Sequence, residues 1–124
     1  MPGLMQARTK SREACFAAGI RQAADAFRFY LLDNNIYPPD RTPAQMPPGM
    51  ESYLKNFPWD EPTPVGGKWD WDNGQFGFTA GVSVYRPAWD DTEMARVDRL
   101  LDDGDLGAGI FRKRSDGYIY IIEH

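Results

Sequence analysis

From Pro2 to Asn34 the chain runs without a proline after the first residue and with only two glycines, Gly3 and Gly19. No other stretch of the sequence is as long without a breaker. The run predicts a helix from Pro2 to about Asn34. About thirty helical residues at 1.5 Å each extend roughly 45 Å, against about 30 Å for a domain of this length. A helix of that length overhangs its own domain. Its second half is amphipathic: Phe16, Ile20, Ala23, Ala24, Phe27 and Leu31 form one apolar stripe at helical spacing. Its first half, Ala7 to Glu13, is polar on nearly every side and is expected to project. Asp33-Asn34-Asn35 and then Ile36-Tyr37-Pro38 end the helix. Asn favours the cap, and a residue before proline avoids the α region.

Beyond this helix the chain is short-segmented and punctuated. Residues 38–67 hold eight of the ten prolines, so no long regular element persists there, although Met50 to Asn56 can make a helical turn or two. Tyr53, Leu54, Phe57 and Trp59 indicate a connection packed down on the domain rather than free. Next, Lys68-Trp69-Asp70-Trp71-Asp72 and Gln75-Phe76-Gly77-Phe78-Thr79 flank Asn73-Gly74, the preferred pair for a two-residue type I′ hairpin. Such a hairpin sets Trp71 opposite Phe76 and Trp69 opposite Phe78. The apolar side continues through Ala80, Val82 and Val84, while Lys68, Asp70, Asp72, Gln75, Gly77 and Thr79 fall on the other. Strict alternation predicts a sheet with one face covered.

Asp90 and Glu93 are spaced as a capping box, and Met94, Val97, Leu100 and Leu101 supply a short apolar stripe. That helix stops at Asp102-Asp103-Gly104. Residues 109–114 and 118–123 predict a second hairpin around a three-residue loop, Ser115-Asp116-Gly117. Phe111, Ile119 and Ile121 then face the core, with Tyr118 and Tyr120 on the outer face beside Arg112 and Arg114. The expected architecture is α+β: one domain over 1–124, with a helical spine (1–34), a proline-rich connection (35–67) and an antiparallel sheet of about four strands (68–124) carrying a short helix near 91–102.

Hydrophobic content of 42% and aromatic content of 14% fit a folded domain. The net charge of −4 is unevenly placed: residues 1–28 are basic, residues 90–105 acidic. That asymmetry reads either as two solvated faces or as head-to-side docking between subunits. Cys15 is the lone cysteine, so no internal disulfide exists, and the residue reads equally as a small buried apolar group or a reactive one. His124 is the lone histidine and terminal, which leaves no basis for a histidine-centred site or a zinc site. No Ser–His or Cys–His pair is available, so the sequence reads as a non-enzyme. No window approaches eighteen apolar residues, so the chain reads as soluble, without a transmembrane helix or signal peptide.

Pro2-Gly3-Leu4-Met5-Gln6-Ala7-Arg8-Thr9-Lys10-Ser11-Arg12-Glu13-Ala14 resembles the stretch just after the membrane segment in type IV pilins and type II secretion pseudopilins. Arg21-Gln22, Ala26, Tyr30 and the Tyr37-Pro38 helix exit are similar too. So are Gly66-Gly67-Lys68-Trp69-Asp70-Trp71, Asp98…Asp102-Asp103-Gly104 and Gly117-Tyr118-Ile119-Tyr120, in the same order along the chain. Gly19 departs from the asparagine common in similar sequences and weakens the helix by roughly 0.5–1 kcal/mol against alanine. The cleavage glycine, the apolar helix of about twenty residues and its acidic residue are not in this sequence. The resemblance therefore implies the soluble ectodomain of an inner-membrane precursor, with Met1 an added start and the ectodomain periplasmic or extracellular. It further implies cleavage by a prepilin peptidase, polymerisation with identical or related pilin subunits through the N-terminal helix, and a pilin-like fold.

Three groups of residues are candidates for function. Asp98, Asp102, Asp103 and Asp105 form an acidic, glycine-turned stretch with the oxygen chemistry calcium prefers. Some pseudopilins bind calcium in a loop of the sheet region, and the resemblance extends to that possibility. The spacing is not that of an EF-hand, and the same residues also read as a helix C-terminus ending in an Asp-Gly turn, which wants a compensating cation, either a protein arginine or a metal. Arg8, Lys10 and Arg12 lack aromatic interleaving and are a weak nucleic-acid signal, so no nucleic-acid partner is expected; they are read as an assembly surface. Trp69 and Trp71 read as core, whereas Trp59 and Trp89 leave open a sugar-stacking platform. Two functions are thereby in play: a filament subunit, or a surface carbohydrate- or calcium-binding module with no filament role.

Overall fold

The computed structural model describes residues 2–124, with side chains described from Ala7 onward. The fold is α+β: one long helix, α1 (Pro2–Asn34), lies against a four-stranded antiparallel sheet that carries a short second helix. The strands are β1 (Lys68–Asn73), β2 (Ala80–Tyr85), β3 (Phe111–Arg114) and β4 (Gly117–Glu123), in spatial order β1-β2-β4-β3. The short helix α2 (Asp91–Leu101) joins β2 to β3. No helix among the described residues is long and apolar enough to cross a membrane.

Thirty-three residues make α1 about 50 Å long. It ends where asparagine chemistry ends it: Asn35 takes a left-handed φ of 62° and its amide donates to the Leu31 carbonyl. Phe16, Ile20, Ala23, Ala24 and Phe27 are fully buried and Leu31 is half-buried, so the stripe is the packed face. Ala7, Arg8, Lys10, Ser11 and Arg12 are exposed, and Cys15 is exposed as well. Glu13 is the first buried side chain along the helix after that exposed stretch, held at 2.9 Å by Arg96 of α2.

Between helix and sheet lies a stack of rings. Phe16 stacks on Trp69 with centroids 5.4 Å apart, and Phe27 on Trp71 at 3.9 Å. The proline-rich connection supplies Met50, Leu54, Phe57, Trp59 and Val65 to the same core. It also satisfies the buried indoles, since Trp71 Nε1 donates to the Pro38 carbonyl (2.9 Å) and Trp59 Nε1 to the Gln45 carbonyl (3.0 Å). That connection is packed down, with one α-type turn closed by the Leu54 amide on the Met50 carbonyl.

The first hairpin departs from its sequence expectation. Trp69 pairs with Val84 and Trp71 with Val82, so the strand that partners β1 starts at Ala80 and Gly74–Thr79 forms a longer connection. The Trp71–Phe76 and Trp69–Phe78 pairs do not form, and Phe76 is exposed. A long-range competition holds Asn73. Its amide donates to Asp40 Oδ1 and its side chain to the Pro38 carbonyl, both at 2.9 Å, which holds Asn73 in the strand. Positive φ falls instead on Gly74, Phe76 and Gly77.

The second hairpin is corrected by one residue. Arg114 pairs with Gly117 across Ser115-Asp116, with positive φ on Asp116 rather than Gly117. A one-residue shift reverses the faces of a strand, so Tyr118 and Tyr120 face the helix beside Val84, Val82 and Phe111. Ile119 and Ile121 are buried on the opposite face, against Ser83 and Gly81. Gly117 is glycine because its backbone passes so close to the Val84 carbonyl that a Cβ would overlap it. Along β1 and β2 both faces are buried, not one.

What covers the far face is partly ionic. Arg114 reaches from β3 to Asp70 on β1, with Nη2–Oδ2 at 2.7 Å, and lies 3.7 Å from Asp72. Ser83 Oγ donates to Asp72, and the Arg114 guanidinium sits over the Phe76 ring at 4.4 Å. The route crosses the position of Gly117, which has no side chain to obstruct it.

Candidate functional site

The acidic stretch is positioned by α2. The helix begins on a capping box in which Asp90 Oδ1 accepts from the Glu93 amide and Glu93 Oε1 accepts from the Asp90 amide. Its N-terminus is tied to the sheet through Asp91, which takes Lys113 Nζ at 2.6 Å and the Tyr118 hydroxyl. Met94, Val97 and Leu101 are buried; Leu100 is exposed, contrary to the expected stripe, and its carbonyl accepts from Arg21 of α1. The helix ends at Asp102, whose amide donates to the Asp98 carbonyl.

Asp98 lies on the buried face of this helix, one residue beyond Val97 and four before Asp102. Its side chain is wholly buried and neither carboxylate oxygen has a hydrogen-bond partner. An unpaired buried carboxylate is costly. Burial, and then the charges of Asp103 and Asp102, push its pKa up to about 6. Asp98, Asp102 and Asp103 each bring one carboxylate oxygen within 4.8 Å of the others. The C-terminal end of α2 adds its own negative dipole there.

The loop from α2 into β3 holds these groups in place. Asp102 Oδ2 accepts from the Ile110 amide (2.6 Å) and Asp103 Oδ1 from the Asp105 amide (2.9 Å). Gly109, at φ 76°, runs directly beneath both carboxylates, and a Cβ there would overlap Asp102 Oδ2. Among the described residues, no lysine or arginine makes an ion pair with any of the three acids. Arg99 lays its aliphatic stem along Gly104.

Of the four acids singled out in the sequence, three converge and Asp105 does not. Its Oδ1 accepts from the Gly107 amide, closing the loop instead. Arg8, Lys10 and Arg12 lie apart from this region, exposed on the first half of α1. Trp59 is buried in the core and offers no sugar platform; Trp89 is half-buried. Sequence reasoning does not single out Gly109 or the Asp70–Asp72–Arg114 group. The latter lines a cleft of about 280 Å³ with Asp40, Phe76 and Tyr85. Period-two alternation assigns Asp70 and Asp72 to the less apolar face, and an acid there draws no notice until a buried arginine is found beside it.

Three oxygens at these separations fit a hard, oxygen-seeking cation. Two ligands each about 2.4 Å from one ion lie at most about 4.8 Å apart, the bond length typical of calcium. No family model matches the chain, and no curated protein or solved structure matches it.

Proposed function

We propose that the protein is a structural subunit of a type IV pilus or type II secretion pseudopilus, with a pilin-like fold, and that it assembles with identical or related subunits through α1. The observation that carries the reading is the division of α1: a helix about 50 Å long packs on its own domain from Glu13 onward, while residues 7–12 are largely exposed and include Arg8, Lys10 and Arg12. Two further features support it. Phe29, Leu32 and Ile36, at 59%, 73% and 66% exposure, run along the outward side of the helix exit, where an apolar stripe wants a partner. The acidic end of α2 is opposite in charge to the first half of α1, as docking between neighbouring copies requires. Membrane anchoring, processing by a prepilin peptidase and a periplasmic or extracellular address belong to the same proposal and rest on the sequence resemblance.

The test is cross-linking in the native host. In a Cys15→Ser background, chains carrying two introduced cysteines, Ser11→Cys with Phe29→Cys or with Leu32→Cys, treated with a short bifunctional thiol reagent give a ladder of dimers, trimers and higher species, because each subunit can be linked on two sides. Monomer alone from every variant refutes the reading. The alternative, a binding module without a filament role, keeps its cation arm through the unpaired Asp98; its sugar arm loses Trp59, Trp69 and Trp71, all buried.

A further inference from the structure

We propose that the cleft beside Phe76, floored by Asp70, Asp72 and Arg114, binds a neutral polyhydroxylated ligand the size of one sugar ring. This goes beyond the filament reading and stands whether or not the chain polymerises.

The floor of the cleft calls for a hydroxyl group. The Arg114 side chain is 4% exposed, and its Nη2 and Nη1 donate to Asp70 Oδ2 and to the Ser115 carbonyl. Its Nε has no hydrogen-bond partner, and the Asp72 Oδ2 beside it lies 3.7 Å away, too far for a hydrogen bond. A buried donor left without an acceptor is costly. A hydroxyl oxygen set between the two accepts from the Nε–H and donates its own proton to the carboxylate, so one group serves both. A carboxylate or phosphate brings no proton for Asp72, and an ammonium brings no acceptor for Nε. Water can meet the same need, and a ligand hydroxyl that reproduces its bonds replaces it without loss.

Charge also selects a neutral ligand. Burial lifts the Asp70 pKa to about 8, so at neutral pH the two floor acids hold one proton between them and balance the single guanidinium. Asp40 and Arg41 balance each other at the rim. The Arg114 guanidinium already lies over the Phe76 ring at 4.4 Å, so an incoming cation finds the aromatic seat it would use filled by a like charge.

The walls suit a ring of C–H groups edged with hydroxyls. Phe76 and Tyr85 border the cleft, and Phe76 is 42% exposed. Phe76 also holds a left-handed φ of 56°, where glycine would sit without strain. A bulky ring kept in that conformation and open to solvent fits a binding rim. Gly74 and Gly77 flank it with open space, so the ring can swing off the guanidinium as a ligand enters. Thr42, Gln75 and Tyr85 line the same cleft with side chains that make no hydrogen bond among the described residues. Their hydroxyls and amide both donate and accept, as neighbouring sugar hydroxyls do. A volume of about 280 Å³ is at the small end for ligand sites, which favours one ring over a chain.

The test titrates the purified, isotope-labelled chain with glucose, galactose, mannose and N-acetylglucosamine, read by amide chemical shifts. At least one sugar is expected to shift the amides of Asp40, Asp72, Gln75, Phe76 and Arg114, with a dissociation constant on the order of 1 mM. Acetate and methylammonium, which carry the disfavoured charges, are expected to give no saturating shift there. Maltotriose and chitotriose distinguish the source: a trimer that binds as well as its ring assigns the end of a glycan chain, and one that fails assigns a free sugar. Phe76→Ala and Gln75→Ala, both at exposed positions, are expected to weaken binding at least about threefold while the rest of the spectrum stays as in the parent, which separates loss of binding from loss of fold. Phe29→Ala, an exposed ring on α1, is expected to bind as the parent does. The proposal is overturned if no sugar gives a saturating shift by about 20 mM, if acetate or methylammonium saturates these amides instead, or if both cleft variants keep the parent affinity.

Discussion

Asp70 and Asp72 share a single arginine on the far face of the sheet, and the consequence is a stability that falls as the solution becomes more alkaline. Asp70 is 7% exposed and Asp72 3%. Burial first, and the neighbouring charge of Asp72 next, push the Asp70 pKa up from 3.8 to about 8 against the opposing pull of Arg114; burial raises Asp72 also. Asp40, at the mouth of the cleft, adds negative charge to both. A carboxyl whose folded pKa lies above its unfolded value binds more protons in the folded state. Its contribution is therefore present in full below the unfolded value and is lost as pH rises towards the folded one. Between about pH 6.5 and 8 the loss for one such group is on the order of 1–2 kcal/mol. That window lies above the pKa of about 6 for Asp98, so the acidic end of α2 contributes little to the slope. Asp70→Asn keeps an oxygen for Arg114 and removes the titrating proton. Urea unfolding monitored by tryptophan fluorescence, at pH steps from about 6.5 to 8 and without calcium, is expected to show the decline in the parent and a flat profile in the variant. A parent stability that rises across this window, or a slope unaltered by Asp70→Asn, refutes the reasoning.

Gly117→Ala forces a Cβ onto the Val84 carbonyl, a rigid backbone atom; the expected loss is about 2–3 kcal/mol in the same unfolding assay. Arg96→Ala leaves the Glu13 carboxylate buried without its 2.9 Å partner, at an expected cost of about 1.5–3 kcal/mol. Hydrogen exchange should quicken in α2 and around Glu13 but not in β1.

Local chemistry alone determined several elements. The span of α1, its asparagine exit, the stripe from Phe16 to Leu31 and the capping box of α2 were all legible, because each depends on residues within one or two turns. Helical spacing puts Asp98 and Asp102 on one side of the end of α2, since i and i+4 share a helix face, but says nothing of Asp103. Asp105 lies past Gly104, where helical spacing no longer applies, and the structure turns it away.

Strand partners and faces were decided by tertiary contacts. Phe76 and Phe78 have the same parity as Val82 and Val84, so alternation cannot choose between them. The choice goes with Pro38 and Asp40, more than thirty residues away, which hold Asn73 in β1. One residue less in the Ser115-Asp116 turn reversed β4, so that its tyrosines rather than its isoleucines face the helix. Burial is likewise a property of the assembled layers. An aspartate at position 98 reads as one more acid in an acidic stretch; only the packing of α2 shows that it is enclosed, unpaired and aimed at two others.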